Sequence, residues 1–148
     1  MRRLFIFCCI LACFLSCTDN FDNPIPVRPV YLELDLTFRD KELNAHLSYK
    51  IFTDKNTIGG KERTGYAGVL VTNSLDGYKA FDLACPNEVR MDAVVEIDNE
   101  NNAVCKVCGS KYEVILNFGS GMCISGPSKH ALRQYSTIKN NNSLIVRN

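Results

Sequence analysis

The chain has 148 residues with 17 basic against 16 acidic side chains, a formal net charge of +1, eight cysteines and no tryptophan. That near-neutral balance leaves no field with which to recruit nucleic acid or another polyanion, so nucleic acid is excluded as a partner. The length suits a single domain with a modest core.

Residues 1–16 read as an export signal. Met1-Arg2-Arg3 is a basic head, and residues 4–15 form an apolar run of twelve. Twelve residues are too few to span a bilayer but suit the central region of a secretory signal. The run ends in Phe14-Leu15-Ser16-Cys17, which resembles the lipobox of bacterial lipoproteins, with Phe14 in place of the usual leucine-like residue. The resemblance implies cleavage before Cys17, acylation of Cys17, and a membrane anchor. Each buried methylene contributes about 0.8 kcal/mol and one chain alone is marginal, so several acyl chains are needed for a stable tether. Thr18, followed by Asp19 and Asp22, is similar to the sorting signals of outer-membrane and surface lipoproteins of the Bacteroidota, which implies a cell-envelope location at the outer membrane. A plain secretory signal with an incidental cysteine is the alternative. Cleavage would remove Arg2 and Arg3 and no acid, leaving 15 basic and 16 acidic side chains, net −1.

Residues 17–29 carry Pro24, Pro26 and Pro29 and are expected to be an extended spacer. The domain proper is expected over 30–148. Leu32, Leu34, Leu36 and Phe38 alternate with Tyr31, Glu33, Asp35 and Thr37, which predicts a strand over 31–38 with one buried face. Asp40 suits the cap of a short helical turn that would put Leu43 and Leu47 on one face. Gly59-Gly60 marks a turn, followed by a polar loop at 61–64. The β-branched run 68–72 predicts a central strand buried on both faces. Asp76-Gly77 predicts a tight hairpin turn into a strand at 78–83, which delivers Cys85 to its end.

Further strands are expected at 94–97 and 103–104, the latter leading into Cys105. Tyr112, Val114 and Leu116 alternate, Gly119-Ser120-Gly121 turns the chain, and 122–124 is a short strand. A final hairpin is expected from 133–138 and 144–146 across Asn140-Asn141-Asn142. No long amphipathic helix follows the signal, so the fold is expected to be mainly β.

Two cysteine loops carry the chemistry. Cys85-Pro86-Asn87 and Cys105-Lys106-Val107-Cys108-Gly109-Ser110 lie 17 residues apart, and Gly126-Pro127 follows. Their order resembles that of the Rieske iron–sulfur domain, in which Cys-x-His and Cys-x-x-His-Gly loops hold a [2Fe–2S] cluster under a Gly-Pro lid. The resemblance covers about residues 66–147 and extends to Gly109-Ser110-Lys111-Tyr112. It implies an antiparallel β-sandwich with a small cluster-binding subdomain, and Cys85 and Cys105 as ligands of the inner iron. Asn87 and Cys108 stand where the two histidine ligands of the outer iron belong. Cys for His adds negative charge and lowers the reduction potential. Asn is a hard donor poorly matched to iron already bound by sulfide.

Cys123 is a candidate fourth thiolate, which would complete a Cys₄ cluster or zinc site. Water or Asn87 would instead complete a three-cysteine zinc site. Without metal, the same cysteines would be free thiols or disulfides such as Cys105–Cys108 or Cys85–Cys105. Thiol–disulfide exchange at Cys105–Cys108 is disfavoured because no helix follows the motif. His46 and His130 are isolated, and no hydrolytic or phosphoryl-transfer constellation is present, so no catalytic residue is assigned. Two classes of function follow: an envelope electron-transfer or metal-carrying module with a separate redox partner, or a binding and assembly module whose cysteines only stabilise the fold.

Overall fold

The computed structural model describes residues 23–53 and 63–148. The expected export signal, Cys17, the beginning of the expected spacer and the expected Gly59-Gly60 turn lie outside the described residues. The chain is mainly β. Its first strands are β1 (Val30–Asp35), β2 (Tyr49–Phe52), β3 (Arg63–Thr64), β4 (Val69–Ser74) and β5 (Gly77–Asp82). A short 3₁₀ helix, Lys41–Asn44, sits between β1 and β2. Then come β6 (Val95–Ile97), β7 (Asn102–Cys105), β8 (Lys111–Glu113), β9 (Cys123–Ser125), β10 (Gln134–Asn140) and β11 (Ser143–Arg147). Seven strands build a base sheet in the order β2-β4-β5-β10-β11-β1-β3, and four build a small sheet in the order β6-β7-β8-β9. The pairings in both sheets are antiparallel. Among the described residues, no helix is long and apolar enough to cross a membrane.

Strand β4 explains how two cores arise from one sheet. Every one of its residues is buried. Successive side chains of a strand point to opposite faces. Val69 and Val71 join Leu32, Leu34, Leu144 and Val146 in one core. Leu70 joins Phe81, Val114, Ile115 and Leu132 in the other. The second core also contains Cys85, Cys105 and Tyr112, so it binds the small sheet to the base. Thr72 Oγ1 donates to the Val114 carbonyl at 3.0 Å across the same junction. At Gly121 a Cβ would lie 2.6 Å from Phe81 Cε1, so the chain after the Gly119-Ser120-Gly121 turn can lie close to the core only as glycine.

Several expectations require correction. The first strand ends at Asp35, and Phe38 is 78% exposed rather than on the buried face. Asp35 Oδ1 accepts the N–H groups of Thr37 and Phe38, a side-chain turn that competes with the ladder. Asp40 precedes the 3₁₀ helix but caps nothing with its side chain. Its buried carboxylate accepts from Asp35 N at 2.8 Å and Lys50 Nζ at 2.9 Å instead. Leu43 and Leu47 serve different cores. The part of the spacer that is described, 23–29, lies against the domain: Ile25 is buried, and Arg133 donates to the Ile25 and Asn23 carbonyls. Leu116 is exposed because β8 stops at Glu113.

Candidate metal centre

Cys85 follows β5 in a tight turn. Its N–H donates to the Ala93 carbonyl at 2.9 Å, and its own carbonyl accepts from Glu88 at 3.1 Å and Val89 at 2.9 Å. The isolated bridge between Ala84 and Val94 closes the neck of this loop. Asp82 braces it from behind, its carboxylate accepting from Ala84 N at 2.8 Å.

Cys105 ends β7. Its N–H donates to the Ser110 carbonyl at 2.9 Å, and its carbonyl accepts from Gly109 at 2.8 Å. Gly109 has φ +74 with open space where a Cβ would stand, so backbone conformation, not crowding, selects glycine there. The turn carries Cys108 back over Cys105.

The two loops bring three sulfurs together. The Sγ atoms of Cys85, Cys105 and Cys108 all lie within 4.8 Å of one another, with Cys85 and Cys108 at 3.6 Å. Thiolates bound at about 2.3 Å around a tetrahedral ion stand ~3.8 Å apart, so the spacing matches one shared ion. Cys85 and Cys105 are fully buried, whereas Cys108 is half-buried. The four described cysteines, including Cys123, are free thiols.

The other candidates do not join them. Asn87 is exposed, and its amide donates to the Glu88 carboxylate at 3.0 Å. Cys123 lies in β9, and its thiol donates to the Ser125 carbonyl at 3.2 Å. Among the described residues, neither histidine belongs to the sulfur group. Asn87 is therefore a surface residue whose side chain finds a charged acceptor next door.

Around the sulfurs is a buried hydroxyl shell whose bonding is not readable from spacing. Tyr112, the middle residue of β8, is fully buried and holds its hydroxyl 3.3 Å from Cys85 Sγ. Ser110 is fully buried, with its hydroxyl 3.1 Å from Cys108 Sγ, and it accepts from Ser128 N at 3.1 Å. Gly126 lies flat on Ser110: a Cβ at Gly126 would fall 2.5 Å from Ser110 Cα. The Gly126-Pro127 segment is thus pinned to the second cysteine loop. The sequence signal for this shell was Ser110 and Tyr112 themselves, two and four residues beyond Cys108.

Burial pushes the Cys85 thiol up to about 12, against the weaker pull of the Tyr112 hydroxyl and the backbone N–H groups of the loop. Burial also opposes ionisation of Cys108. There the Ser110 hydroxyl and backbone, with the neighbouring thiols, prevail and hold it below the usual thiol value. Burial pushes Tyr112 well above the usual phenol range, so it stays a neutral donor. Three ionised sulfurs in an apolar pocket would be prohibitively costly alone, whereas a divalent cation would reverse that balance and deprotonate all three. No protein-family model matches the chain, and no curated protein matches it.

Proposed function

We propose that this protein is a lipid-anchored cell-envelope protein whose β domain carries a metal centre held by the thiolates of Cys85, Cys105 and Cys108. The observation that carries the reading is the convergence of three sulfurs from two separate loops within 4.8 Å, in a pocket lined by the second core. Residues 1–17 supply the argument for the anchor, through the resemblance of Phe14-Leu15-Ser16-Cys17 to a lipobox.

The Rieske resemblance draws support from the two facing loops, the small sheet and the Gly126-Pro127 segment pinned to Ser110. The ligand chemistry goes another way. A [2Fe–2S] cluster needs four donors, set apart as one pair on each iron. Here three donors are mutually close and Asn87 is turned to Glu88, so the residues present do not fit the cluster. They fit one thiophilic ion, and zinc accepts a thiolate-rich tetrahedron without geometric strain. Such an ion would clamp the two loops and stabilise the domain rather than pass electrons.

A second reading, a metal-free domain, is favoured by the 3.6 Å approach of Cys85 and Cys108, which a rotation of the half-buried thiol would turn into a disulfide under oxidising conditions. Metal and acid-labile sulfide analysis of protein purified without oxygen separates the readings. One metal per chain with no labile sulfide, lost in Cys105→Ser, is expected. Metal-free protein would overturn the proposal, and two titratable thiols after denaturation in place of the four described would point to the Cys85–Cys108 disulfide.

A further inference from the structure

We infer that the ion has an exchangeable fourth position, open to solvent beside Cys108, where a small thiolate displaces water. This rests on the three-thiolate centre proposed above. The other donors near the sulfurs are engaged elsewhere. The Asn87 amide is turned to Glu88 and the Cys123 thiol to the Ser125 carbonyl. The Ser110 hydroxyl lies between Cys108 and the Ser128 N–H, and the Tyr112 hydroxyl lies against Cys85. Three protein ligands plus an open position is the pattern of ions that bind exogenous ligands, whereas purely structural sites are closed by four.

The direction of the opening follows from burial. Cys85, Cys105, Ser110 and Tyr112 are fully enclosed, while Cys108 is half-buried and its neighbours Lys106 and Val107 are exposed. Solvent therefore reaches the sulfur group over the Cys108 side.

The chemistry of the ligand follows from charge and softness. Three anionic sulfurs already over-neutralise a divalent ion, so it withdraws little charge from a bound water. That water is not acidified into a nucleophile, as it is on an ion held by neutral imidazoles. Hydrolysis is thus disfavoured. A soft sulfur donor matches the thiolate-rich ion better than oxygen, and a coordinated thiol gives up its proton. The ligand class is a low-molecular-weight thiol small enough to pass Cys108.

The test uses the full chain in detergent micelles, loaded with one equivalent of cobalt(II) in place of zinc, with 2-mercaptoethanol as probe. The sulfur-to-cobalt charge-transfer absorption is expected to rise saturably by about one third as three thiolates become four, with cobalt retained on the protein. Cys123→Ser is expected to behave like the parent chain. An absorption indifferent to the thiol, together with a fall of about one quarter in Cys123→Ser, would show that Cys123 closes the site and would overturn the open position alone. Failure to bind cobalt at all would overturn the metal centre and this inference with it.

Discussion

Asp82 offers the sharpest test of how the base sheet holds the first cysteine loop. It is fully buried at the end of β5. One carboxylate oxygen accepts from Ala67 N at 3.2 Å and Ala84 N at 2.8 Å. The other accepts from Tyr66 N at 2.8 Å and the Tyr135 hydroxyl at 2.6 Å. In Asp82→Ala all four donors lose their acceptor. Tyr66 and Ala67 are half-buried and regain water, but Ala84 and Tyr135 are buried. Each orphaned buried donor costs about 1–3 kcal/mol, so the substitution is expected to cost about 4 kcal/mol. Asp82→Asn is expected to cost nearly as much, because its amide would face two donors with a third. Tyr135→Phe leaves three donors on the carboxylate and is expected to cost only about 1.5 kcal/mol. Urea unfolding at constant m-value measures all three. A loss under 1 kcal/mol in Asp82→Ala, or Tyr135→Phe costing more than Asp82→Ala, would refute the hub.

In metal-free protein, Cys108 is expected to alkylate with iodoacetamide at lower pH than an ordinary thiol, while Cys85 stays unreactive at pH 8; mass mapping of early adducts reads this. The raised Cys85 thiol contributes stability that is complete below its unfolded value of 9.0 and is lost as pH rises toward about 12. The depressed Cys108 acts in the opposite sense, its contribution growing as pH rises through its folded value toward 9.0. From pH 9 to 10 the Cys85 contribution dominates, and above pH 10 the Tyr112 and Tyr135 phenols, which burial also raises, add losses of the same sign. Unfolding free energy is therefore expected to fall by up to about 1.4 kcal/mol per pH unit between pH 9 and 10, and stability that stays flat from pH 9 to 11 would contradict the burial argument. Gly126→Ala and Gly77→Ala impose the same strain, at φ +98 and +94, but only Gly126 would strike Ser110 while Gly77 faces open space. Strain alone costs about 1–3 kcal/mol. Gly126→Ala is therefore expected to lose clearly more than Gly77→Ala in denaturant unfolding, and equal losses would detach the Gly-Pro segment from the site.

The parts of the fold that were legible in the sequence are those where one local rule decides. Leu32 and Leu34 alternate because one face of β1 is buried. Val69-Leu70-Val71 runs apolar because both faces of β4 are. Gly77, and Asn141 with φ +48, mark turns that need positive φ. The cysteine loops were legible because Gly109 and Pro86 bracket the sulfurs with turn chemistry. What was hidden is set by distant partners. Strand β2, Tyr49–Phe52, has only half-buried or exposed residues before Phe52 and gains its order from pairing with β4. The docking of Asn23 and Ile25 depends on Arg133, more than a hundred residues away. Asp82 reads as the polar side of a strand, and only the fold turns it inward. Asn87 stands where the resemblance would put a ligand, yet its amide is taken by the Glu88 carboxylate beside it.

X-ray absorption at the metal edge of protein isolated without oxygen tests the central claim most directly. The account predicts a single ion with three or four sulfur neighbours at about 2.3 Å and no second metal in range. A metal–metal vector bridged by sulfides would contradict it and restore the cluster that the donor set argues against.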